Sequence, residues 1–414
     1  MLLTGHQLKL AATRLTAQLS RSFAAAAEAQ QAATPSPPSP PKRAPNKMGG
    51  WQFHSYGDSD ELQYCDKLRL PQIRNSDECL VRVRATTVNP IDVAMLRGYG
   101  ATLLNIMRCK SGDSIEFPLT LGREFVGELV QKGMGVNGSD QLQLGCRVWG
   151  VVPISSTAGA HAEYVVVSRS CLAAAPKNLD DKEAASVLYA GLTAWSGLYI
   201  SGFLGGPCGA TTAAGGGANK RVLVMGGSGG VGSLAIQMLS AQGVQVLATC
   251  SENAVDMVRC LGADCVVDYT NPAQLEQLAK YAPYDIVLDC AGQGSQHAAE
   301  LNFDFRQYIT FSSPLLANID KQGICLGALQ NVSELLQSNV KAVTQRGGLV
   351  KWGYFYPAAH GIEFLQRLVE RRKLMPLIDS SFDFAELPKA FERIKQGHLR
   401  GKVVVQLKDS ITGC

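Results

Sequence analysis

The stretch from Arg221 to Gly243, RVLVMGGSGGVGSLAIQMLSAQG, joins an apolar run to a glycine turn and then to an amphipathic segment. Val222 to Met225 are continuously apolar, which predicts a central parallel strand covered on both faces rather than the alternation of a half-exposed one. The strand should stop at Gly226. Gly226, Gly229 and Gly232 then recur at three-residue spacing, which suits a tight turn, close backbone approach to a phosphate and close packing of helix on strand. The helix that follows would aim its free N–H groups and positive dipole end at an anion, with Ser228 adding a hydroxyl. A flexible surface loop is the bland reading of such glycines. The flanking strand and helix favour a dinucleotide pyrophosphate.

An NAD-specific site places Asp or Glu about 20 residues beyond the turn, at the end of the second strand. Here the second strand, Val244 to Thr249, runs into Cys250 and Ser251, and Glu252 lies one residue further on. With no carboxylate at the strand end a 2′-phosphate meets no repulsion, and Ser251, Arg259 and Tyr269 are candidate donors to it. NADPH is therefore the expected cofactor. Arg259 also reads as an ordinary solvated helix residue.

The chain has 414 residues, long enough for two or three domains with sizeable cores. A net charge of +4, part of it in the N-terminal segment, gives no basic excess that would point to nucleic acid. No apolar run approaches the about 20 residues needed to span a membrane. Twelve cysteines are scattered singly without a C-x-x-C pair, the pattern of reduced thiols in a reducing compartment. Met1 to Phe23 carries Lys9, Arg14 and Arg21, helically spaced leucines and no acid, the profile of a mitochondrial transit peptide; a basic tail is the alternative. The Pro- and Ser-rich run Thr34 to Pro45 should be an extended linker, with folded structure starting near Trp51.

Cys79 to Val88 alternates apolar and polar residues as an antiparallel strand does, and short strands are expected at Phe125 to Val130, Arg147 to Val151 and Ala162 to Val167. Together they suggest a small barrel-like β domain. After Pro176 helix and strand alternate, beginning with a helix over Ala184 to Leu198, which implies a parallel sheet with right-handed crossovers. Gly202 to Gly217 reads as a flexible insertion. A helix near Ile362 to Arg371 and a strand at Val403 to Leu407 should return to the first domain.

The chain resembles the medium-chain dehydrogenase/reductase superfamily in its zinc-independent quinone oxidoreductase branch. The resemblance covers nearly all of Trp51 to Leu407. It is carried by Val88-Asn89-Pro90-Ile91-Asp92, Arg97-Gly98-Tyr99-Gly100, Leu121-Gly122-Arg123-Glu124, Leu192-Thr193-Ala194-Trp195, the glycine turn, Leu261-Gly262-Ala263-Asp264, Asp268-Tyr269 and Gly397-His398-Leu399-Arg400-Gly401-Lys402. It is most similar to mitochondrial, reticulon-interacting members, NADPH-dependent oxidoreductases connected with ubiquinone biosynthesis. The implied α/β fold is a Rossmann doubly wound parallel sheet inserted in a GroES-like β-barrel domain. Residues 1–47 would be transit peptide and linker, 51–180 the GroES-like domain, 181–350 the NADPH-binding domain and 351–414 the C-terminal return. Zinc alcohol dehydrogenases of the superfamily place Cys where this chain has Asn89 and His where it has Arg123, and carry a four-cysteine lobe that is missing here. A guanidinium would repel zinc, so no metal is expected.

By the same resemblance, Ser228, Gly229, Gly230, Val231 and Gly232 would hold the pyrophosphate, Ser251 and Tyr269 the adenosine ribose phosphate, and Thr193 the nicotinamide end. His398, Leu399 and Arg400 match a C-terminal cofactor contact, although His398 also reads as a solvated loop histidine. Trp195 reads as core packing rather than a stacking platform. Asn89 and Asp92 would face the nicotinamide, or else form an Asn-Pro turn with Asp92 capping the next helix. Tyr99 matches a proton-donating tyrosine of related enoyl reductases and would either donate or merely line the pocket.

Three functions follow as expectations. The first is reduction of quinones or conjugated carbonyl compounds in the mitochondrial matrix, the substrate a small quinone or enone. The second is an enoyl thioester reductase. The third is an NADPH-bound, non-catalytic protein that docks a reticulon-type or peripheral membrane partner. Homodimers are common in the branch, and fold alone does not choose among these readings.

Overall fold

A computed structural model describes residues 47–110, 116–136, 142–205 and 219–407. The transit-peptide and linker expectations, most of the Gly202 to Gly217 insertion and the last residues after Leu407 lie outside the described residues.

Six strands, Arg221–Met225, Gln245–Cys250, Cys265–Asp268, Tyr284–Asp289, Phe305–Thr310 and Leu349–Trp352, form one all-parallel sheet. Counted along the chain, their spatial order is 3-2-1-4-5-6, the doubly wound dinucleotide-binding order. The continuous apolar run has a direct cause. Val222 and Val224 enter the core on one face with Val246, Ala248 and Ile286. Leu223 and Met225 enter a separate core on the other face with Leu247, Val287 and Tyr308. Because side chains alternate across a strand, a sheet buried on both faces needs apolar residues at every position.

The second sheet is mainly antiparallel and is built from both ends of the described chain. Glu78–Val88 pairs with Glu124–Lys132 and with Tyr164–Ser168, while Arg147–Val151 and Leu172–Ala174 continue the sheet outward. Lys402–Gln406 pairs antiparallel with the same Glu78–Val88 strand, Val403 opposite Val88, and Ile378–Asp383 lies parallel beyond it. The dinucleotide-type module is thus inserted into a GroES-like domain, as the resemblance implied.

Several elements differ from the sequence reading. Among the described residues the first element is the hairpin Lys47–Gln52 and Gln63–Arg69, whose first strand contains Trp51. The single helix expected over Ala184 to Leu198 is two, Asp181–Ala185 and Leu188–Trp195, the second running into a π-turn over Ser196–Ser201. Ser186 Oγ donates to the Lys182 carbonyl and Ser196 Oγ to that of Thr193, bonds that compete with helix continuation. Helices Ala101–Lys110, Leu315–Arg346 and Leu387–Lys395 were not anticipated. The second of these breaks at Gly323, whose φ of 77° is left-handed.

Candidate active site

The glycine turn lies at the carboxyl end of the first parallel strand, beside the fourth strand where the sheet order reverses. This is the crevice where open α/β sheets bind ligands. Gly226 has φ 80° and takes the chain out of the strand; its N–H donates to Thr249 Oγ1 at 3.3 Å. A Cβ on Gly232 would stand 2.2 Å from the Gly226 carbonyl, so only glycine lets the helix Gly230–Ser240 start this close to the turn. The first N–H groups of that helix have no intrahelical acceptor, and the helix start is bridged at Gly229 to Gly401. The fit to a pyrophosphate rests on these amides and this cradle. On the opposite lip, buried Asp289 accepts from the N–H groups of Ala291, Gly292, Gln293 and Gly294 and from Thr310 Oγ1, which fixes the loop after the fourth strand.

The C-terminal motif closes on the turn from the other domain. Gly401 N–H donates to the Ser228 carbonyl at 3.1 Å, and a Cβ on Gly230 would meet Lys402 Cδ at 2.9 Å. Lys402 is buried. Its Nζ stands 2.8 Å from Glu124 Oε1 and donates to Asn89 Oδ1. Glu124 also accepts from Thr87 Oγ1 at 2.5 Å and from the Tyr189 N–H at 2.8 Å. Asn89, Glu124 and Lys402 thus form one satisfied buried network directly behind the turn. Leu399 packs against the core of the first domain, whereas the His398 side chain is exposed.

Asp92 caps the helix that follows Asn89. It is fully buried; Oδ2 accepts from the Asn89 N–H at 2.8 Å and Oδ1 from the Gly122 N–H at 2.9 Å, the helix-capping role for an acid in the first turn. The Thr193 hydroxyl donates to the Tyr189 carbonyl at 2.8 Å within its own helix. Arg123 is fully buried, donates from Nη1 to the Pro153 and Ser156 carbonyls, and has Nε 3.8 Å from Asp92 Oδ1. Burial pulls its guanidinium pKa down, and Asp92 acts the other way. Trp195 is buried in the core.

The outer wall is aromatic. Half-buried Tyr99 lies between Gly98 and Gly100, and Asp320 of the parallel-sheet domain holds its loop by accepting from the Gly100 and Thr102 N–H groups at 2.6 and 2.9 Å. Burial first, then the neighbouring Tyr354 and Asp320, raises the Tyr99 pKa. Tyr189 stacks on Phe355 with ring centroids 4.3 Å apart; burial and then Asp92 push its pKa up strongly. Both phenols therefore keep their protons at neutral pH. Tyr354 donates to Ser313 Oγ at 3.1 Å.

At the adenosine end, Ser251 Oγ bonds Asn253 Oδ1 at 2.8 Å and Tyr269 is 46% exposed. Arg259 pairs with Asp256 at 3.1 Å on the surface, and exposed Arg400 is anchored by its N–H to Asp379. Cys250, at the end of the second strand, reports the field there. Burial and then Asp268 push its thiol up to about 11, while Arg259 and Arg400 pull the other way.

Two family profiles match the chain, one described as "Alcohol dehydrogenase GroES-like domain" over residues 75–177 and one as "Zinc-binding dehydrogenase" over residues 261–405. A Drosophila melanogaster protein named "NAD(P)H oxidoreductase RTN4IP1, mitochondrial" is 73% identical over 367 residues, 89% of this chain and 88% of that one. The chain belongs to the medium-chain dehydrogenase/reductase superfamily. A Caenorhabditis elegans relative, "Reticulon-4-interacting protein 1, mitochondrial", is 33% identical over 349 residues, 81% of this chain and 90% of that one. The solved quinone oxidoreductase of Coxiella burnetii matches with a TM-score of 0.66 at 25% identity, covering 87% of this chain and 99% of that one. This medium-chain dehydrogenase/reductase is a mitochondrial oxidoreductase that uses a nicotinamide cofactor.

Zinc does not fit this member of the superfamily. At the two positions that carry metal ligands in the alcohol dehydrogenases, Asn89 holds an ammonium and Arg123 is itself a cation bonded to carbonyls. Among the described residues no three His, Cys, Asp or Glu converge as ligands. Sequence reasoning noted Lys402 and Glu124 only as letters of motifs. The available signal was a lysine standing directly before three valines in the strand KVVVQ. Tyr189 had a weaker one, an aromatic one turn before Thr193, and Tyr354 had none.

Proposed function

We propose that the protein is an NADPH-dependent reductase of quinones or related conjugated carbonyl compounds, linked to ubiquinone biosynthesis, and that it works as a homodimer. The observation that carries this reading is the buried Asn89, Glu124 and Lys402 network, unsuited to zinc, which backs the glycine turn at Gly230 and holds the Tyr189 amide, Tyr189 stacking on Phe355 near Tyr99 and Tyr354. Flat aromatic faces suit a planar ring. The bound nicotinamide supplies a hydride equivalent. The chain's own residues do the rest. Ser228, Gly229, Gly230, Val231 and Gly232 bind the pyrophosphate. Ser251, Arg259, Tyr269 and Arg400 bind the 2′-phosphate, and the absence of an acid at the tip of the second strand favours NADPH. Asn89, held by Lys402, orients the nicotinamide side, with Thr193 packing beneath it. Tyr99 delivers the proton that, with the hydride, completes the reduced product, and solvent restores that proton.

A second reading is supported by the name of the nematode relative: docking of a reticulon-type membrane partner. Purified protein mixed with NADPH and short-chain quinones separates the two. Oxidation of NADPH that is lost in Gly230→Asp supports the reductase. No oxidation above background, together with a rise in thermal stability on adding NADPH, supports the partner-binding reading.

A further inference from the structure

Thr310 ends the fifth strand of the parallel sheet, where its hydroxyl donates to Asp289 at 2.8 Å. Phe311, Ser312, Ser313 and Pro314 then lead into a short helical segment, residues 315–322, which stops at the left-handed Gly323. This segment is fastened to the long helix behind it. Asn318 Nδ2 donates to Asn331 Oδ1 at 2.8 Å and to Glu334 Oε1 at 3.3 Å, and Asn331 Nδ2 donates to the Leu315 carbonyl at 3.0 Å. Both asparagines are buried, and a satisfied buried network of this kind is rigid. The segment is therefore a fixed arm of the domain that carries the glycine turn.

Another face of the arm meets the loop of Tyr99. Leu316 and Asp320 lie one turn apart and so share that face. A Cβ on Gly100 would stand 3.1 Å from Leu316 Cδ1, and the Asp320 carboxylate accepts from the Gly100 and Thr102 N–H groups at 2.6 and 2.9 Å. These amides open the helix Ala101–Lys110, whose first intrahelical bond, from the Leu104 N–H, ends on the Gly100 carbonyl. First-turn amides lack a partner within their own helix and are ordinarily capped by the side chain of the residue at the helix start. That residue is glycine here, and the cap comes instead from the other domain, 218 residues away in sequence. Tyr99 is thus held on both sides. Its own N–H donates to the Ala94 carbonyl at 3.0 Å, within the first domain, and the next N–H is tied to Asp320.

We infer that Asp320 is a positioning residue for the reduction: by clasping the backbone on either side of residue 101, it fixes the Tyr99 phenol relative to the domain that carries the glycine turn. The inference rests on the donor role proposed for Tyr99. Asp320 acts only through backbone, and a displacement of a reacting group by about 1 Å can cost roughly 10²-fold in rate.

A double-mutant cycle on the purified full chain, read as NADPH oxidation with a short-chain quinone, tests it. Asp320→Ala should lower kcat by about 10- to 100-fold and change KM for the quinone by less than about threefold. Asp320→Asn keeps an acceptor oxygen for one amide and should fall between Asp320→Ala and wild type. In a Tyr99→Phe background Asp320→Ala should change kcat by less than about twofold, because no phenol is left to place. Amide hydrogen exchange should rise in residues 100–104 of Asp320→Ala and stay unchanged in the parallel strands, which separates a released loop from a misfolded chain. Unaltered kcat in Asp320→Ala, additive losses in the double variant, or unaltered exchange at residues 100–104 overturns the inference and leaves the reductase reading standing. Full turnover by Tyr99→Phe overturns the donor role and the inference together. A wild type that oxidises no NADPH with quinone overturns both the reductase reading and the inference.

Discussion

Lys402 Nζ lies 2.8 Å from Glu124 Oε1, with the two side chains only 6% and 1% exposed. The pair ties the last strand to the first domain at the back of the cofactor turn. Removing one partner strands a buried charge, which typically costs about 3–5 kcal/mol. Lys402→Met should therefore lower unfolding stability by that order, measured by urea denaturation. The double variant Lys402→Met/Glu124→Leu should recover much of the loss, because it leaves no unpaired ion.

Arg400 and Arg259 should govern the choice between phosphorylated and unphosphorylated cofactor. Charge-assisted hydrogen bonds contribute about 1.5–3 kcal/mol each, roughly 10- to 150-fold in affinity. Arg400→Gln should raise the NADPH dissociation constant within that range and leave NADH binding unchanged, as read by calorimetry. Arg259 shares its charge with Asp256 in open solvent, so Arg259→Gln should have the smaller effect.

His161 is fully buried, and burial lowers its pKa below the ordinary value of 6.5, with Asp92 and the Thr87 carbonyl opposing. The folded state refuses a proton that the unfolded chain accepts. This contribution is whole above about pH 6.5 and is lost as pH falls toward the depressed folded value, with a slope of at most about 1.4 kcal/mol per pH unit. Stability curves of wild type and His161→Gln should run parallel above pH 7 and converge below 6.5. Parallel curves throughout would remove His161 from the acid sensitivity.

Tyr99→Phe should reduce turnover by roughly 10²- to 10⁴-fold, the usual contribution of a positioned acid, without changing NADPH affinity. If Tyr189→Phe gives that loss instead, the proton comes from the ring stacked on Phe355. Single-turnover measurements separate the two.

Gly232→Ala should shift the helix start away from the turn, since the new Cβ would stand 2.2 Å from the Gly226 carbonyl. A weakening of NADPH binding by an order of magnitude or more, with the circular dichroism spectrum retained, is the expected outcome.

The parts of the fold that could be read from sequence are those in which each residue states its own environment. The Val222 to Met225 run, apolar at every position, signals two covered faces, and the three glycines signal a turn too tight for side chains. The helix Leu315–Arg346 was unreadable for the opposite reason: its inward face is Asn331, Ser338 and Ala342 and its outward face is leucine and valine, so the usual rule of apolar-inside is reversed. In the site, the turn was plain because it is local. The Lys402, Glu124 and Asn89 network was not, because its members are far apart in sequence and only folding brings their charges together. Asp92 had two sequence readings, and the Gly122 amide it accepts from lies across a loop that no spacing rule foresees.

The hydrogen bond from Gly401 to Ser228 sets a timetable for the molecule. Gly401, which backs the proposed nucleotide-binding turn, is made after all six strands of the parallel sheet. A chain stopped short of Gly401 would carry every strand of that sheet and still lack the wall behind the proposed phosphate site, so firm nucleotide retention should certify that synthesis passed Gly401.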